Sequence, residues 1–479
     1  MTPLHIVGIV VTLIAIVGLS VYSGRKVKNA ADFATGGGKT GSVIVAGAIM
    51  GTLVGGSSTV GTAQLAYSYG LSAWWFTLGG GIACLVLALG FVKPLRKTGA
   101  STLVGIMSSE YGQTSGILAS VLSSIGTFIN IISQMLAATA VIAVMLPKLG
   151  TVPALMCAAA LMALYVIVGG VQSAGAVGVL KLVLLYVAMI GSGIIVLVLT
   201  KGWTPLVNEI HAVEAKAIAS GTAVNYFSLF ARGFGTDAGA GLSLVFGVLT
   251  TQTYAQAVLS GKSDRASRKG ALISAIMIPP IGIGGILVGL FMRVHFPPEM
   301  RILASKNALT QFILDYMPAP LAGVVLATLL IAVVGTGAGL SLGISTIIGN
   351  DIVKKVTRKI DDPIKNLLFS RVCIIVVLLA AVSLSTGALG DVILNFAFMS
   401  MGLRGAVVFV PLVCALWFRG RIDKKFVITS IIVSPLCVLL FGVTKWVAFD
   451  SLFVGIAAGI VICAIGLMVG KKPAQELKP

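Results

Sequence analysis

Acidic side chains are scarce in this sequence. Its 479 residues carry 15 Asp and Glu against 34 Lys and Arg, and charged residues make up 10% of the chain, well under the ~25% of a soluble domain. Asp and Glu, among them Asp237, Asp351, Asp391 and Glu110, fall at the edges of apolar runs or in loops. Inside those runs there are no paired carboxylates, metal-ligating clusters or activated nucleophiles, so no enzyme is expected. The six cysteines (Cys84, Cys157, Cys373, Cys414, Cys437 and Cys463) lie within apolar segments and read as small buried hydrophobes, not as a disulfide framework or a metal site. His5, His211 and His295 lie in the N-terminus or in loops, which argues against a histidine proton relay through a membrane. No low-complexity segment and no soluble domain is visible.

What the chain has in abundance is hydrophobic length. Hydrophobic residues make up 57% of it, and spans of roughly 20 apolar residues recur often enough to count thirteen. The fold class expected is an all-α polytopic membrane protein. Its start, MTPLHIVGIVVTLIAIVGLSVYSG, lacks the basic leader and small-residue cleavage pattern of a signal peptide and is expected to stay as a span. The net charge of +19 does not imply a nucleic-acid partner, because the basic residues cluster in short loops between spans. With the N-terminus outside, 24 Lys and Arg fall in cytoplasmic segments and 8 in outer ones. That bias sets the C-terminus in the cytoplasm of a plasma membrane, with a bacterial inner membrane as the expected setting. The outer segments at about 201–235 and 293–318 are too polar to span and suit short helices over the mouth. Expected partners are the lipid bilayer and a small-molecule solute; oligomeric state is not readable.

Two spans are interrupted by glycines and hydroxyls at mid-depth. In VIVAGAIMGTLVGGSSTVGTAQLAYSYGLSAWW (43–75), Gly51, Gly55 and Gly56 precede Ser57, Ser58 and Thr59. Glycine weakens a helix and the hydroxyls compete for its backbone bonds, so two half-helices joined by unwound backbone are expected. Such a break is tolerated in lipid where it lines a cavity, and its freed carbonyls can hold a cation. The blander reading is close packing of two helices. Five spans later, DAGAGLSLVFGVLTTQTYAQAVL (237–259) places Gly247 and then Thr250, Thr251 and Gln252 at mid-depth in the opposite orientation. That relation suits an inverted five-helix repeat.

Two cations lie well inside spans. Arg404, between Gly402 and Gly405, is read either as bonded to carbonyls at a helix break or as the fork for a substrate carboxylate. Lys181 sits about six residues on the cytoplasmic side of its span's centre. It either snorkels to the surface or points inward as a fixed or titrating cation. Gln134 and Gln252 are further hydrogen-bonding candidates, with helix contacts as the alternative.

Several motifs together make the chain resemble the sodium:solute symporters: RKVKNAADFATGGGKTG, AYSYGLSAWW, YVIVGGVQSAGAV, YAQAVLSGKSDRASRKG and GTGAGLSLGISTIIGNDIVKK. The resemblance covers nearly the whole chain. It implies the leucine-transporter-like fold, a five-plus-five inverted-repeat core with one extra N-terminal and two extra C-terminal helices. The parts are then 1–40 (first helix and loop), 41–200 (first repeat), 201–235 (outer loop), 236–417 (second repeat) and 418–479 (last two helices and tail). It further implies a solute site between the broken helices, where Ser57 and Ser58 align with family solute contacts; Arg404, Gln134 and Gln252 join them as candidates on their own chemistry. It also implies a Na⁺ site formed by the carbonyls of Gly51, Val54 and Ala332 with hydroxyls at positions 335 and 336.

The chain departs from that pattern twice. Gly335 and Thr336 stand where sodium-coupled members usually have two hydroxyl residues. Where helix five of the core commonly reads Thr-Asp and, three residues on, Gln, this chain reads Val177, Gly178 and then Lys181. Some proton-coupled amino-acid transporters of this fold place a lysine there. The expectation is therefore a secondary transporter for a small anionic or zwitterionic solute, working by alternating access. Lys181 replaces Na⁺ and transport is proton-coupled or uncoupled. The alternatives are an ordinary Na⁺ symporter, a membrane sensor on the same scaffold and, last, a channel. No cofactor is implied beyond Na⁺ or H⁺ as coupling ion.

Overall fold

In lipid every backbone polar group has to be satisfied within the protein, and the helix does this within one segment. The computed structural model describes residues 2–24, 40–100, 102–169, 173–219, 224–296, 301–348, 363–387, 392–444, 446–447 and 449–469. Among the described residues there are nineteen α-helices and no strand. In chain order the first of them are α1 (Pro3–Gly24), α2 (Ser42–Leu53), α3 (Thr62–Tyr69), α4 (Trp75–Val86), α5 (Val92–Lys97), α6 (Leu103–Tyr111), α7 (Gln113–Met145), α8 (Thr151–Gly169) and α9 (Ser173–Leu199). After them come α10 (Trp203–Ala219), α11 (Phe234–Thr250), α12 (Gln252–Leu259), α13 (Asp264–His295), α14 (Arg301–Tyr316), α15 (Ala319–Thr346), α16 (Pro363–Gly387), α17 (Ile393–Trp417), α18 (Lys424–Thr444) and α19 (Ser451–Val469).

Nine helical stretches among the described residues are long and apolar enough to cross a membrane, and the pair α11–α12, bent by 51° at its break, makes ten. The thirteen spans read from the sequence are not reached by that criterion. Part of the reason is physical: a test for unbroken length passes over α2, which stops at Leu53, and joins two legs into one stretch, Ser57–Lys97. The expected short helices of the outer segments are α10 and α14. The basic stretches at 25–39, 349–362 and 470–479, with Asp351 and Asp391, lie outside the described residues.

α13 lies along α2, α3, α4 and α9, while α17 packs between α7, α11 and the α18–α19 pair. At one end of the bundle the loops following α5, α12 and α17 converge. Arg96 Nε meets Asp264 at 2.6 Å and its Nη1 donates to the carbonyls of Val258, Leu259 and Gly261 at 3.2, 3.3 and 2.7 Å, capping the end of α12. Arg419 pairs with Glu110 at 2.8 Å, tying α6 to the loop beyond α17. Thr40 forms an isolated bridge with Gly261, its N–H donating to Ser260 O at 3.1 Å, so the start of α2 is held beside the end of α12. At the opposite end Gly70, with φ +57°, turns the chain between α3 and α4, and Leu71 N donates to Tyr226 O at 2.7 Å.

Candidate substrate and cation site

The first break follows the glycines. α2 stops at Leu53, and a π-helical turn over Ser57–Gly61 leads into α3. A Cβ at Gly56 would lie 2.4 Å from Cβ of Ala137, so only glycine lets α7 approach this closely. Gln134 of α7 supplies what the interrupted helix lacks. Its Oε1 accepts from Gly56 N at 2.9 Å and its Nε2 donates to Ser57 Oγ at 3.0 Å and Asn130 Oδ1 at 3.3 Å. Ser57 Oγ lies 2.9 Å from Ser133 Oγ, and Ser58 donates to Gly55 O at 2.9 Å. All of these side chains are buried. Ser57, Ser58 and Gln134 thus satisfy the broken backbone in this conformation.

Lys181 points inward. Its stem does not run to the surface, and 5% of the residue is exposed. Nζ donates to the carbonyls of Gly51 at 2.7 Å and Ala332 at 3.0 Å and to Thr336 Oγ1 at 3.1 Å. An ammonium has three donors, and three acceptors from α2 and α15 surround it. Gly51 lies in the last turn of α2, where carbonyls lose their helical partners. These acceptors are three of the five positions that the resemblance assigned to Na⁺. At Gly335 an added Cβ would come 3.4 Å from the Tyr165 ring. Val54 is buried at the break, and its carbonyl is not among the acceptors of Lys181 in the described residues.

The second break falls between α11 and α12 at Thr251. Arg404 comes up beside it on α17 with 1% exposure. Its Nη1 donates to Thr251 Oγ1 at 2.8 Å, Nη2 to Ser400 Oγ at 3.0 Å and to Met401 Sδ at 3.1 Å, and Nε to Ser400 O at 3.2 Å. No carboxylate pairs with it among the described residues. α17 does not break at Gly402 and Gly405, one of the settings read for this arginine. A Cβ at Gly405 would lie 2.7 Å from Phe246 Cβ, so that glycine serves close packing against α11. Gln252 Oε1 accepts from Leu103 N at 2.9 Å and so holds the first residue of α6 against the break.

Arg404, Thr251 and Gln252 line a cavity with about 40 Å³ open to water centres, floored by Leu103, Val104 and Met107 of α6. Ser400 and Thr251 were not among the site residues read from the sequence. The signal for Ser400 was there: a hydroxyl four residues before a buried arginine shares its helix face.

Membrane-length helices interrupted beside buried polar and charged groups are how secondary transporters build their sites. The profile of the sodium:solute symporter family matches residues 33–432, and the chain belongs to that family. An uncharacterized symporter of Bacillus subtilis (strain 168), YwcA, is 29% identical over 189 residues, 38% of this chain and 36% of YwcA. The high-affinity choline transporter 1 of Caenorhabditis elegans is 29% identical over 153 residues, 27% of each chain. The matches therefore span about a third or less of those relatives. Among solved structures, a substrate-bound, outward-open Na⁺-coupled sialic acid symporter superposes with a TM-score of 0.76 at 16% identity, covering 99% of this chain and 100% of that one. Mhp1, a nucleobase-cation-symport-1 family transporter in a closed, bromovinylhydantoin-bound conformation, gives a TM-score of 0.60 at 13% identity over 91% and 94% of the two chains. At these identities the likeness is one of fold, the leucine-transporter-like fold. These relatives and neighbours are transporters, not enzymes.

Proposed function

We propose that the chain is a secondary active transporter. It moves a small anionic or zwitterionic organic solute across the plasma membrane by alternating access between the two repeats, and Lys181 takes the place of Na⁺. The observation that carries this reading is the Lys181 ammonium seated on Gly51 O, Ala332 O and Thr336 Oγ1. A cation already fills the oxygen cage, and a second cannot share it without several kcal/mol of repulsion. Transport is then proton-coupled, through loss and recovery of the lysine's proton, or uncoupled. Arg404, buried without a carboxylate, supports a negatively charged group on the solute.

The test has two parts: the melting temperature of purified protein in NaCl, KCl and choline chloride, and solute uptake into proteoliposomes under imposed gradients. Expected are equal melting temperatures in the three salts, and saturable uptake that a Na⁺ gradient does not drive. Selective, saturable stabilisation by Na⁺ would instead establish conventional Na⁺ symport, the reading that family membership favours.

A further inference from the structure

The cavity beneath Arg404 has chemistry that narrows the solute further, given the carrier reading above. Its lining is of two kinds: the guanidinium with the hydroxyls and amide of Thr250, Thr251, Gln252 and Thr253, and the apolar side chains of Leu103, Val104, Met107, Leu340 and Val408. The guanidinium has five N–H groups and makes four bonds, one of them to the weak acceptor Met401 Sδ. Among the described residues one Nη1 N–H is left over, and the thioether bond is readily exchanged for a better acceptor. Among the described residues no Asp or Glu lines the cavity to receive an ammonium. Ser123 and Thr127 of α7 also line it, and it is the small volume, not a lack of hydroxyls, that excludes a sugar ring. The cavity volume of about 40 Å³ exceeds the roughly 10–15 Å³ that a single water needs, so the space admits a small molecule and not a long chain.

We infer that the solute is a short-chain aliphatic monocarboxylate. Its carboxylate accepts from Arg404 and its hydrocarbon tail lies against α6, α15 and α17. One guanidinium balances one carboxylate, which excludes a dicarboxylate as well as a zwitterion. The tail limit follows from the small volume of the cavity: short-chain acids are admitted, and fatty acids are not.

Gly343 of α15 gives a clean handle. It lines the cavity, and a Cβ there meets no atom within 4 Å, so the side chain of Gly343→Val starts into open space. The experiment is ligand-induced thermal stabilisation of the purified full chain in Na⁺-free buffer. The probes are the choline salts of acetate, propionate, butyrate, hexanoate and octanoate, with choline chloride, glycine, alanine and glucose as comparisons. Saturable stabilisation is expected from acetate, propionate and butyrate, falling away at hexanoate and absent with octanoate, the amino acids and glucose. Gly343→Val is expected to weaken butyrate on the order of tenfold while sparing acetate, the scale on which a pocket discriminates one or two methylenes. Arg404→Gln is expected to abolish all three responses, and the Gly343 variant keeps the inference testable if that protein does not fold. Stabilisation by alanine or glucose in place of the acids overturns the inference and leaves the carrier reading standing, as does octanoate as the best ligand. Butyrate binding unchanged in Gly343→Val overturns the placement of the tail. Failure of the carrier reading shows separately, as the absence of saturable uptake of any solute.

Discussion

Replacing Lys181 with methionine tests the cation cage from the opposite side. The substitution keeps the bulk of the stem and removes the charge. Three bonds are lost, to Gly51 O, Ala332 O and Thr336 Oγ1; Ala332 O keeps the bond from Thr336 Oγ1 at 2.9 Å, and a buried acceptor left without any donor costs about 1–3 kcal/mol. Against that, an ammonium no longer has to be held out of water, a relief of several kcal/mol. The two terms oppose, so stability in Na⁺-free buffer is expected to change by no more than about 3 kcal/mol. The response to Na⁺ is more decisive. In the parent chain, Na⁺ placed 4 Å from Nζ is repelled by about 4 kcal/mol at an effective dielectric of 20, close to a thousandfold in affinity. Without the charge, two carbonyls, a hydroxyl and water are left facing the vacated space. Na⁺ at a hundred times its dissociation constant would stabilise the variant by about 2.7 kcal/mol. The assay is thermal or denaturant unfolding across a NaCl series with KCl and choline controls. A methionine variant as indifferent to Na⁺ as the parent would refute the argument that the ammonium stands in a cation position.

Other substitutions test the scaffold. Arg96→Ala removes the cap on α12 and is expected to lower stability by about 2 kcal/mol, whereas Asp264→Asn, at the exposed side of the same cluster, shifts it by less than about 1 kcal/mol. Unfolding of both variants distinguishes a carbonyl cap from a surface ion pair. Gly70→Ala puts a Cβ 2.0 Å from Tyr226 O at φ +57° and is expected to cost at least about 2 kcal/mol, read as a lower melting temperature. Asp450, just before α19, has its carboxyl pushed above the usual value by burial, against the lowering effects of its bond from Leu452 N and of nearby Arg232. The folded chain therefore holds that proton more tightly than the unfolded one. The contribution is fully present below the ordinary carboxylate value and is lost as pH rises through the raised one. Asp450→Asn should flatten the stability profile across that window, and an unchanged slope would remove Asp450 as its source.

Much of this was legible in the residues because membrane chemistry is restrictive. Glycines beside hydroxyls in a long apolar run have few uses, and both breaks appear where that pattern put them, at 54–56 and at Thr251. Lys181 and Arg404 stood out because buried charge is rare. The direction of Lys181 was not legible, since a flexible four-carbon stem suits either the surface or the core; packing of α2 and α15 around it decides. Gln134 and Gln252 show another limit. Each reads as a contact for solute, yet each spends its carbonyl on an unpaired backbone N–H, of Gly56 or of Leu103. Such demands arise only once a helix has stopped and another has come alongside.

Lys181 joins α2, α9 and α15 through one nitrogen atom. A dissolved ion performing the same task would come and go with the composition of the medium, and three helices held by it would answer to salinity. A tethered one has no concentration to dilute. On the proposed reading its hold on the three helices changes only when its proton leaves or its stem swings away, and the carrier would keep the same joint in fresh water and in brine.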